Sequence, residues 1–187
     1  VTGGGVYDGL EAFRAYARTE KSDYLAIPGV IIAMDTFYNL NLDYSKIFAN
    51  GMENPVNSPD PAAGGDGYAY WFDGSHMSKS IFNRWGSDLR NYMHEDFFHQ
   101  EPTGEFLKLK DCMVENSLVY NWTPDPLLNI RLIHSSEDNL IPVECSDLLY
   151  QVYKENNCAI QYVRTNGDHY QAGTEFMMNA MLYLLLR

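Results

Sequence analysis

The stretch Leu127–His169 reads LLNIRLIHSSEDNLIPVECSDLLYQVYKENNCAIQYVRTNGDH, and its order of apolar and polar residues decides the fold. It opens with a mostly apolar run at 127–133, which is typical of a strand buried on both faces. A helical pattern follows, with apolar residues at three- and four-residue spacing, and Asn156-Asn157 can end that helix. A second short strand is predicted at 158–164. The pattern indicates a β-α-β unit with parallel strands.

Two side chains capable of acid–base chemistry follow these strands. Asp138 lies in the turn after the first strand, and His169 lies in the turn after the second. A final apolar helix is predicted from Ala172 to Leu186. The carboxyl ends of neighbouring parallel strands meet at one edge of a sheet, where the ligands and catalytic groups of open α/β folds collect. We therefore expect the two side chains to form an acid–base pair at that edge.

The segment resembles the last part of an α/β-hydrolase, where the acid follows the penultimate strand and the base follows the last one. In that family the strand ends in His-Gly, an Asp follows three residues on, Val-Pro opens a helix, and Gly-x-His comes later. The matching residues here are His134-Ser135, Asp138, Ile141-Pro142 and Gly167-Asp168-His169, with Ser135 in place of the usual Gly. The resemblance implies that Asp138 and His169 are the acid and base of a serine hydrolase similar to lipases, esterases or prolyl peptidases.

The opening VTGGGVYD, residues 1–8, resembles the strand end that follows the nucleophile helix in α/β-hydrolases with a helical cap. A nucleophile elbow needs small residues on both sides of its Ser, and no Gly-x-Ser-x-Gly occurs in the sequence. The resemblance therefore implies that the first strands, the oxyanion loop and the nucleophile precede Val1. We expect the chain to be inactive alone, and to need the missing N-terminal half of the same enzyme or a second copy of itself.

The resemblance divides the chain into three parts. Residues 1–22 are the end of a core strand and a first helix, 23–122 are a helical cap or lid insertion, and 123–187 are the C-terminal β-α-β-α part of the core. The predicted fold class is α/β, the C-terminal part of an α/β-hydrolase sheet with parallel strands flanked by helices and a mainly helical cap insertion. Within the insertion we predict a long loop at 54–67, rich in Pro, Gly, Asn and Asp.

Two further helices are predicted from apolar spacing toward the end of this insertion. One begins after the capping candidate Ser78 and continues to Tyr92, and the other runs from Leu107 to Val119. The aromatic residues Tyr68–Phe72, with Trp85 and Phe97-Phe98, either pack in a core or line an apolar pocket, and core packing is the favoured interpretation.

Composition excludes several classes of partner. The chain has 25 acidic and 13 basic residues, a formal net charge of −12, so it lacks the clustered cations that nucleic acids and anionic membranes require. The longest apolar stretch, 176–186, is too short to span a bilayer. His94 and His99 are not spaced as a helical metal-binding pair, so we predict no metal and no cofactor. The compartment stays open, since a secreted or periplasmic location would need a signal peptide.

Each candidate also has a structural interpretation. Asp138 can cap the helix near Pro142, and His169 can be an ordinary loop histidine. Asp168 is interpreted as a surface acid and His134 as a packed residue. The first functional hypothesis is hydrolysis of a small ester, lipid or peptide. The second is a non-catalytic binding or interaction domain derived from a hydrolase tail, in which Asp138 and His169 would fail to converge.

Overall fold

The computed structural model describes residues 1–23, 27–54 and 67–186. Within these ranges it contains three strands and eight α-helices. The strands are β1 (Thr2–Gly3), β2 (Asn129–Ser135) and β3 (Ala159–Thr165). The helices are α1 (Gly9–Thr19), α2 (Ile27–Tyr38), α3 (Tyr68–Trp71), α4 (Ser78–Trp85), α5 (Leu107–Glu115), α6 (Leu118–Asn121), α7 (Glu144–Glu155) and α8 (His169–Leu185). None of the described helices combines the length and the apolar character needed to cross a bilayer.

The chain forms two compact units. The first contains Val1–Ala15 and Met113–Arg187, and the second contains Tyr16–Cys112. The boundaries between the units therefore fall within α1 and α5. The interpretation of the middle of the chain as a cap remains a prediction, and most of the long loop predicted at 54–67 lies outside the described residues.

The first unit is built on a parallel sheet with strand order β1-β2-β3. The pairing of β2 with β3 runs from Asn129 opposite Ala159 to Ser135 opposite Thr165. The predicted parallel pair is confirmed, although β2 lies two residues later in the chain than predicted and β3 one residue later. The polar residues at the end of β2 can continue the strand because their buried side chains find hydrogen-bond partners, which are described below.

Helix α7 covers the sheet with its apolar face. Leu149 and Tyr153 of α7 pack against Leu132 of β2 and Ile160 of β3, and Tyr7 belongs to the same buried cluster. Burying an aliphatic or aromatic side chain of this size stabilises the folded state by about 1.5–3 kcal/mol. The helix ends before the two asparagines, as predicted, because the second of them adopts the left-handed conformation with φ 60°.

A buried carboxylate joins the start of the first unit to its later helices. Asp8 Oδ1 accepts a hydrogen bond from the Glu11 amide at 2.6 Å, and Oδ2 accepts one from Ser117 Oγ at 2.5 Å. Ser117 Oγ in turn accepts from the Val119 amide and caps α6. The prediction of one continuous helix over Leu107–Val119 is therefore wrong, since α5 ends at Glu115 and a new helix starts after its own cap.

The second unit is mainly helical and aromatic, and Trp71, Trp85 and Phe97 are buried in it, so core packing accounts for them. The predicted helix from Ser78 to Tyr92 is interrupted. Helix α4 ends at Trp85, because its C-cap Gly86 has a φ of 72°, outside the helical region. A 3-10 turn follows at Leu89–Asn91. Met77 is the N-cap, not Ser78, and its side chain makes no capping hydrogen bond.

Helix α8 carries a broad apolar surface facing away from the rest of the first unit. Each member of this surface is at least half exposed: Met177, Met178, Met181, Leu182, Leu184 and Leu185. Apolar patches of this kind are unusual on soluble monomers and are typical of interaction surfaces.

The glycine-rich opening is required by close packing, which leads to a first prediction. A Cβ at Gly3 would lie 2.2 Å from the carbonyl oxygen of Ile133 and 2.9 Å from the ring of Phe176. We expect Gly3→Ala to lower the free energy of unfolding by about 2 kcal/mol or more, because β1 must move away from β2. Urea denaturation followed by circular dichroism measures the change.

Gly173→Ala is the matched control for this substitution. Gly173 lies in α8, and a Cβ there would meet nothing within 4 Å. Replacing a helical glycine by alanine should raise the free energy of unfolding by about 0.5–1 kcal/mol. If Gly3→Ala is as stable as the wild type, the close approach of β1 to β2 is wrong.

Candidate active site

Asp138 and His169 meet at the carboxyl ends of β2 and β3. His169 Nδ1 lies 2.8 Å from Asp138 Oδ2, which is hydrogen-bonding distance. Asp138 comes from the turn after β2, and its side chain is only 2% exposed. His169 is the first residue of α8, and its side chain is 33% exposed. The structure therefore places a buried carboxylate behind an imidazole that a bound molecule can reach.

The two oxygens of Asp138 have different partners. Oδ1 accepts hydrogen bonds from the backbone amides of Leu140 at 2.9 Å and Ile141 at 2.8 Å, which shapes the turn. Oδ2 accepts from His169 and from Nε2 of His134, the latter at 3.1 Å. Turn formation and pairing with histidine thus occur together. Asp138 is not the N-cap of α7, because that helix begins only at Glu144.

These hydrogen bonds keep Asp138 ionised. Burial raises the pKa of the carboxyl, but the hydrogen bonds from His134, the Ile141 amide, His169 and the Leu140 amide outweigh it and lower the pKa to about 2. An ionised carboxylate only accepts hydrogen bonds, so Nδ1 of His169 carries the hydrogen it donates. In the neutral imidazole this leaves the lone pair on Nε2, the nitrogen that can take a proton from a reacting group.

Three side chains, one at the end of β2 and two in the β2–α7 connection, hold the backbone between the end of β3 and the start of α8. Ser135 Oγ donates to the carbonyl oxygen of Gly167 at 2.5 Å and accepts from the Glu137 amide at 3.1 Å. Glu137 Oε2 accepts from the Gly167 amide at 2.9 Å, and Asn139 Oδ1 accepts from the His169 amide at 3.2 Å. The hydroxyl of Ser135 therefore links the end of β2 directly to the β3–α8 connection.

Helix α8 begins three residues earlier than predicted. Asp168 is its N-cap: Oδ1 accepts from the Gln171 amide at 2.8 Å, and Gln171 Oε1 accepts from the Asp168 amide at 3.1 Å. Asp168 is a partly exposed acid that also caps the helix, and the placement of His169 in a loop was wrong. The spacing Asp-x-x-Gln before an apolar run is the sequence signal of this capping box. His169 is consequently held on the end of a regular helix.

A cleft of about 150 Å³ lies in front of this pair. Its lining includes Gly3, Gly4, Thr165, His169 and Phe176. Gly4 has a φ of 58°, and a Cβ there would lie 3.4 Å from Cε1 of His169. A small apolar cleft with a few polar groups at one end is typical of sites for small molecules.

His94, set aside as a metal ligand because of its spacing from His99, has a structural role. His94 Nδ1 accepts from the Asp96 amide at 3.2 Å and caps the 3-10 turn Glu95–Phe98. Within residues 1–23, 27–54 and 67–186, no group of three His, Cys, Asp or Glu side chains is arranged to hold a metal ion. The three cysteines are buried, and none of them forms a disulfide.

Comparison with solved structures shows a similarity to a known esterase. A rice cell wall degrading esterase, LipA, from Xanthomonas oryzae is 17% identical, with a TM-score of 0.59 over 89% of this chain and 42% of that chain. A second structure of that esterase gives 16% identity and a TM-score of 0.55 over 86% of this chain and 41% of that chain. The present chain thus spans less than half the length of the esterase.

At this level of identity the likeness shows the fold. It confirms the predicted α/β fold class, in which parallel strands are flanked by helices. No protein-family model matches the chain, and no curated protein sequence does either.

The lowered pKa of Asp138 leads to a prediction about stability at acid pH. The unfolded chain takes up a proton on this carboxyl near pH 4, while the folded protein does so only near pH 2, so stability falls as pH drops through that window. The stabilisation present at neutral pH, about 2 kcal/mol, should be absent in Asp138→Asn. The gap in free energy of unfolding between the wild type and the variant should therefore narrow between pH 6 and pH 2.

Urea titrations at a series of pH values measure this gap. Asp125→Asn, which removes an exposed carboxylate at a turn, controls for the change in net charge and should show a nearly constant gap. A gap for Asp138→Asn that is equally constant would contradict the ionised, hydrogen-bonded carboxylate.

Proposed function

We propose that this chain is part of a serine hydrolase and supplies the acid, Asp138, and the base, His169, of its triad. The observation that carries the proposal is the 2.8 Å hydrogen bond between the two side chains at the ends of adjacent parallel strands. The chain order, acid before base, is the order of the last two triad members in α/β-hydrolases. The nucleophilic serine and the oxyanion hole would come from residues that precede Val1.

In this proposal the serine Oγ attacks the carbonyl carbon of the substrate while its proton passes to Nε2 of His169. Asp138 accepts the Nδ1–H hydrogen bond throughout and stabilises the imidazolium. The proton then moves to the leaving alcohol as the carbon–oxygen bond breaks, and an acyl-enzyme remains. Water then attacks the acyl carbon and gives a proton to His169. His169 passes that proton to the serine Oγ as the bond between the acyl carbon and Oγ breaks, which releases the acid product and the free serine.

A carboxylic ester is the substrate class we favour. The structural neighbour is described as an esterase that degrades rice cell wall, and this supports esters over the lipid and peptide substrates of lipases and prolyl peptidases. The cleft beside His169 is small and partly apolar, which suits the acyl or alcohol part of a small ester.

The alternative, a binding domain derived from a hydrolase tail, has less support. A binding domain of this kind would have Asp138 and His169 far apart. Instead the two side chains are in hydrogen-bonding contact, and the carboxyl of Asp138 is ionised. A merely structural pair would also have no reason to leave the imidazole one-third exposed beside a cleft.

We further propose that the exposed apolar surface of α8 packs against the N-terminal half of the enzyme, with a second copy of this chain as the alternative. The chain matches only 42% of the esterase, and the remainder of such a fold would extend the sheet and cover its helices. Six apolar side chains, each at least half exposed, offer the area for such packing.

The α8 surface provides a prediction for the chain on its own. We expect it to self-associate with increasing concentration and to bind an apolar dye, and we expect the triple variant Met178→Gln, Met181→Gln, Leu185→Gln to lose most of both properties. Sedimentation velocity and dye fluorescence measure them. Leu127→Gln, which replaces an apolar residue exposed elsewhere in the first unit, is the control and should change neither. A wild-type chain that stays monomeric without binding the dye would contradict the proposal.

The proposed reaction is tested with the polypeptide extended toward its amino terminus. We expect a Gly-x-Ser-x-Gly about two dozen residues before Val1, the length of an elbow helix and a strand. The extended protein should hydrolyse a p-nitrophenyl ester, and His169→Ala and Asp138→Asn should each lower kcat by about 10³-fold or more. The present chain should neither hydrolyse the ester nor react with a fluorophosphonate.

His99→Ala is the matched control, because His99 is exposed and lies in the second unit. It should retain the kcat of the unsubstituted protein. Stoichiometric labelling of the present chain by the fluorophosphonate would contradict the assignment of the nucleophile to preceding residues. Activity that survives His169→Ala would contradict the base.

A further inference from the structure

His134 is the residue of this site that the proposed reaction does not use. It lies next to the end of β2, and its side chain is fully buried. Nε2 lies 3.1 Å from Asp138 Oδ2, and Nδ1 lies 2.6 Å from Ser146 Oγ in α7. A histidine without contact to solvent that touches the same carboxylate oxygen as His169 calls for a physical reason.

The hydrogen-bond chemistry determines the tautomer of His134. Asp138 is ionised and can only accept, so Nε2 of His134 must donate to it. A neutral imidazole has one donor and one acceptor nitrogen, and Nδ1 is then the acceptor. Ser146 Oγ supplies the matching hydrogen. The two histidines are therefore arranged oppositely: His134 meets the carboxylate through Nε2, and His169 meets it through Nδ1.

The carboxylate is saturated by these contacts. An ionised carboxylate offers about four lone-pair sites, and Asp138 has two donors on each oxygen. Three of the four donors remain in place whatever His169 does, since they belong to the Leu140 and Ile141 amides and to buried His134. Rotation of the carboxyl about its Cβ–Cγ bond would break all three.

We propose that His134, held in one tautomer by Ser146, is a positioning residue that fixes Oδ2 of Asp138 at the point where Nδ1 of His169 meets it. The inference rests on the proposed function for its catalytic consequence, but the positioning itself is a property of this chain. It assigns to His134 of β2 and Ser146 of α7 a role in the site that packing alone does not require.

The test compares three substitutions. His134→Gln keeps a donor near the position of Nε2, His134→Phe keeps an apolar ring without a donor, and Ser146→Ala removes only the hydrogen bond to Nδ1. Carbon-detected NMR of the present chain follows the Asp138 carboxyl, whose titration midpoint should rise by about one pH unit in His134→Phe and much less in His134→Gln. Ser146→Ala should raise the titration midpoint of Asp138 by an intermediate amount. This variant provides the test if His134→Phe does not fold.

Kinetics of the extended protein give the second measurement. His134→Phe should lower kcat for the ester about 10-fold with KM unchanged, because a misplaced Asp138 affects His169 and not substrate binding. His134→Gln should restore most of that loss. The exposed His99→Phe is the control in both measurements.

The outcomes separate this inference from the proposed function. If folded His134→Phe and Ser146→Ala leave the Asp138 titration and the His169 ring signals at their wild-type positions, the positioning role is overturned. If the titration moves but the extended wild-type protein hydrolyses no ester, the positioning stands and the proposed hydrolase function fails.

Discussion

The ionised carboxylate of Asp138 is the interaction on which the rest of the site depends. Hydrogen bonds to an ionised group are roughly twice as strong as those between neutral groups, and this carboxylate accepts four of them. They come from the turn after β2, from the end of β2 itself and from the start of α8. A single side chain therefore connects the three segments that together hold the imidazole of His169 beside the cleft.

That arrangement is only available because the strands are parallel and adjacent. Ser135 at the end of β2 pairs with Thr165 at the end of β3. The turns that follow the two strands therefore start at the same edge of the sheet. The contact of Gly3 with the carbonyl of Ile133 brings β1 against the other side of β2 and sets one wall of the cleft. The apolar packing of α7 on the sheet holds this edge at a fixed distance from Ser146.

The sequence allowed the pair Asp138 and His169 to be predicted, because strand, turn, helix and strand follow one another with unambiguous patterns. The Asp-x-x-Gln spacing of the capping box at Asp168 is also visible in the sequence. The helix was nevertheless predicted to start too late, at Ala172, because the apolar run begins there. His134 and Ser135 look like the polar end of a strand. Their partners, Ser146 and Gly167, are 12 and 32 residues away, and no local pattern indicates such hydrogen bonds.

Helices α4 and α5 end earlier than predicted for a similar reason. The apolar spacing continues past Gly86 and Ser117, whereas the helical backbone conformation does not.

The links from Ser135, Glu137 and Asn139 to the backbone at 167–169 restrict how these connections can vary in length. Surface connections ordinarily tolerate insertions and deletions, because their backbones are not held by other segments. Here one residue added to either connection would move these hydrogen-bonding groups out of reach of their partners. The imidazole of His169 would then turn away from the carboxylate of Asp138. Changes in chain length within this unit are better tolerated at the opposite edge of the sheet, where exposed Asn156 and Asn157 form the turn between α7 and β3.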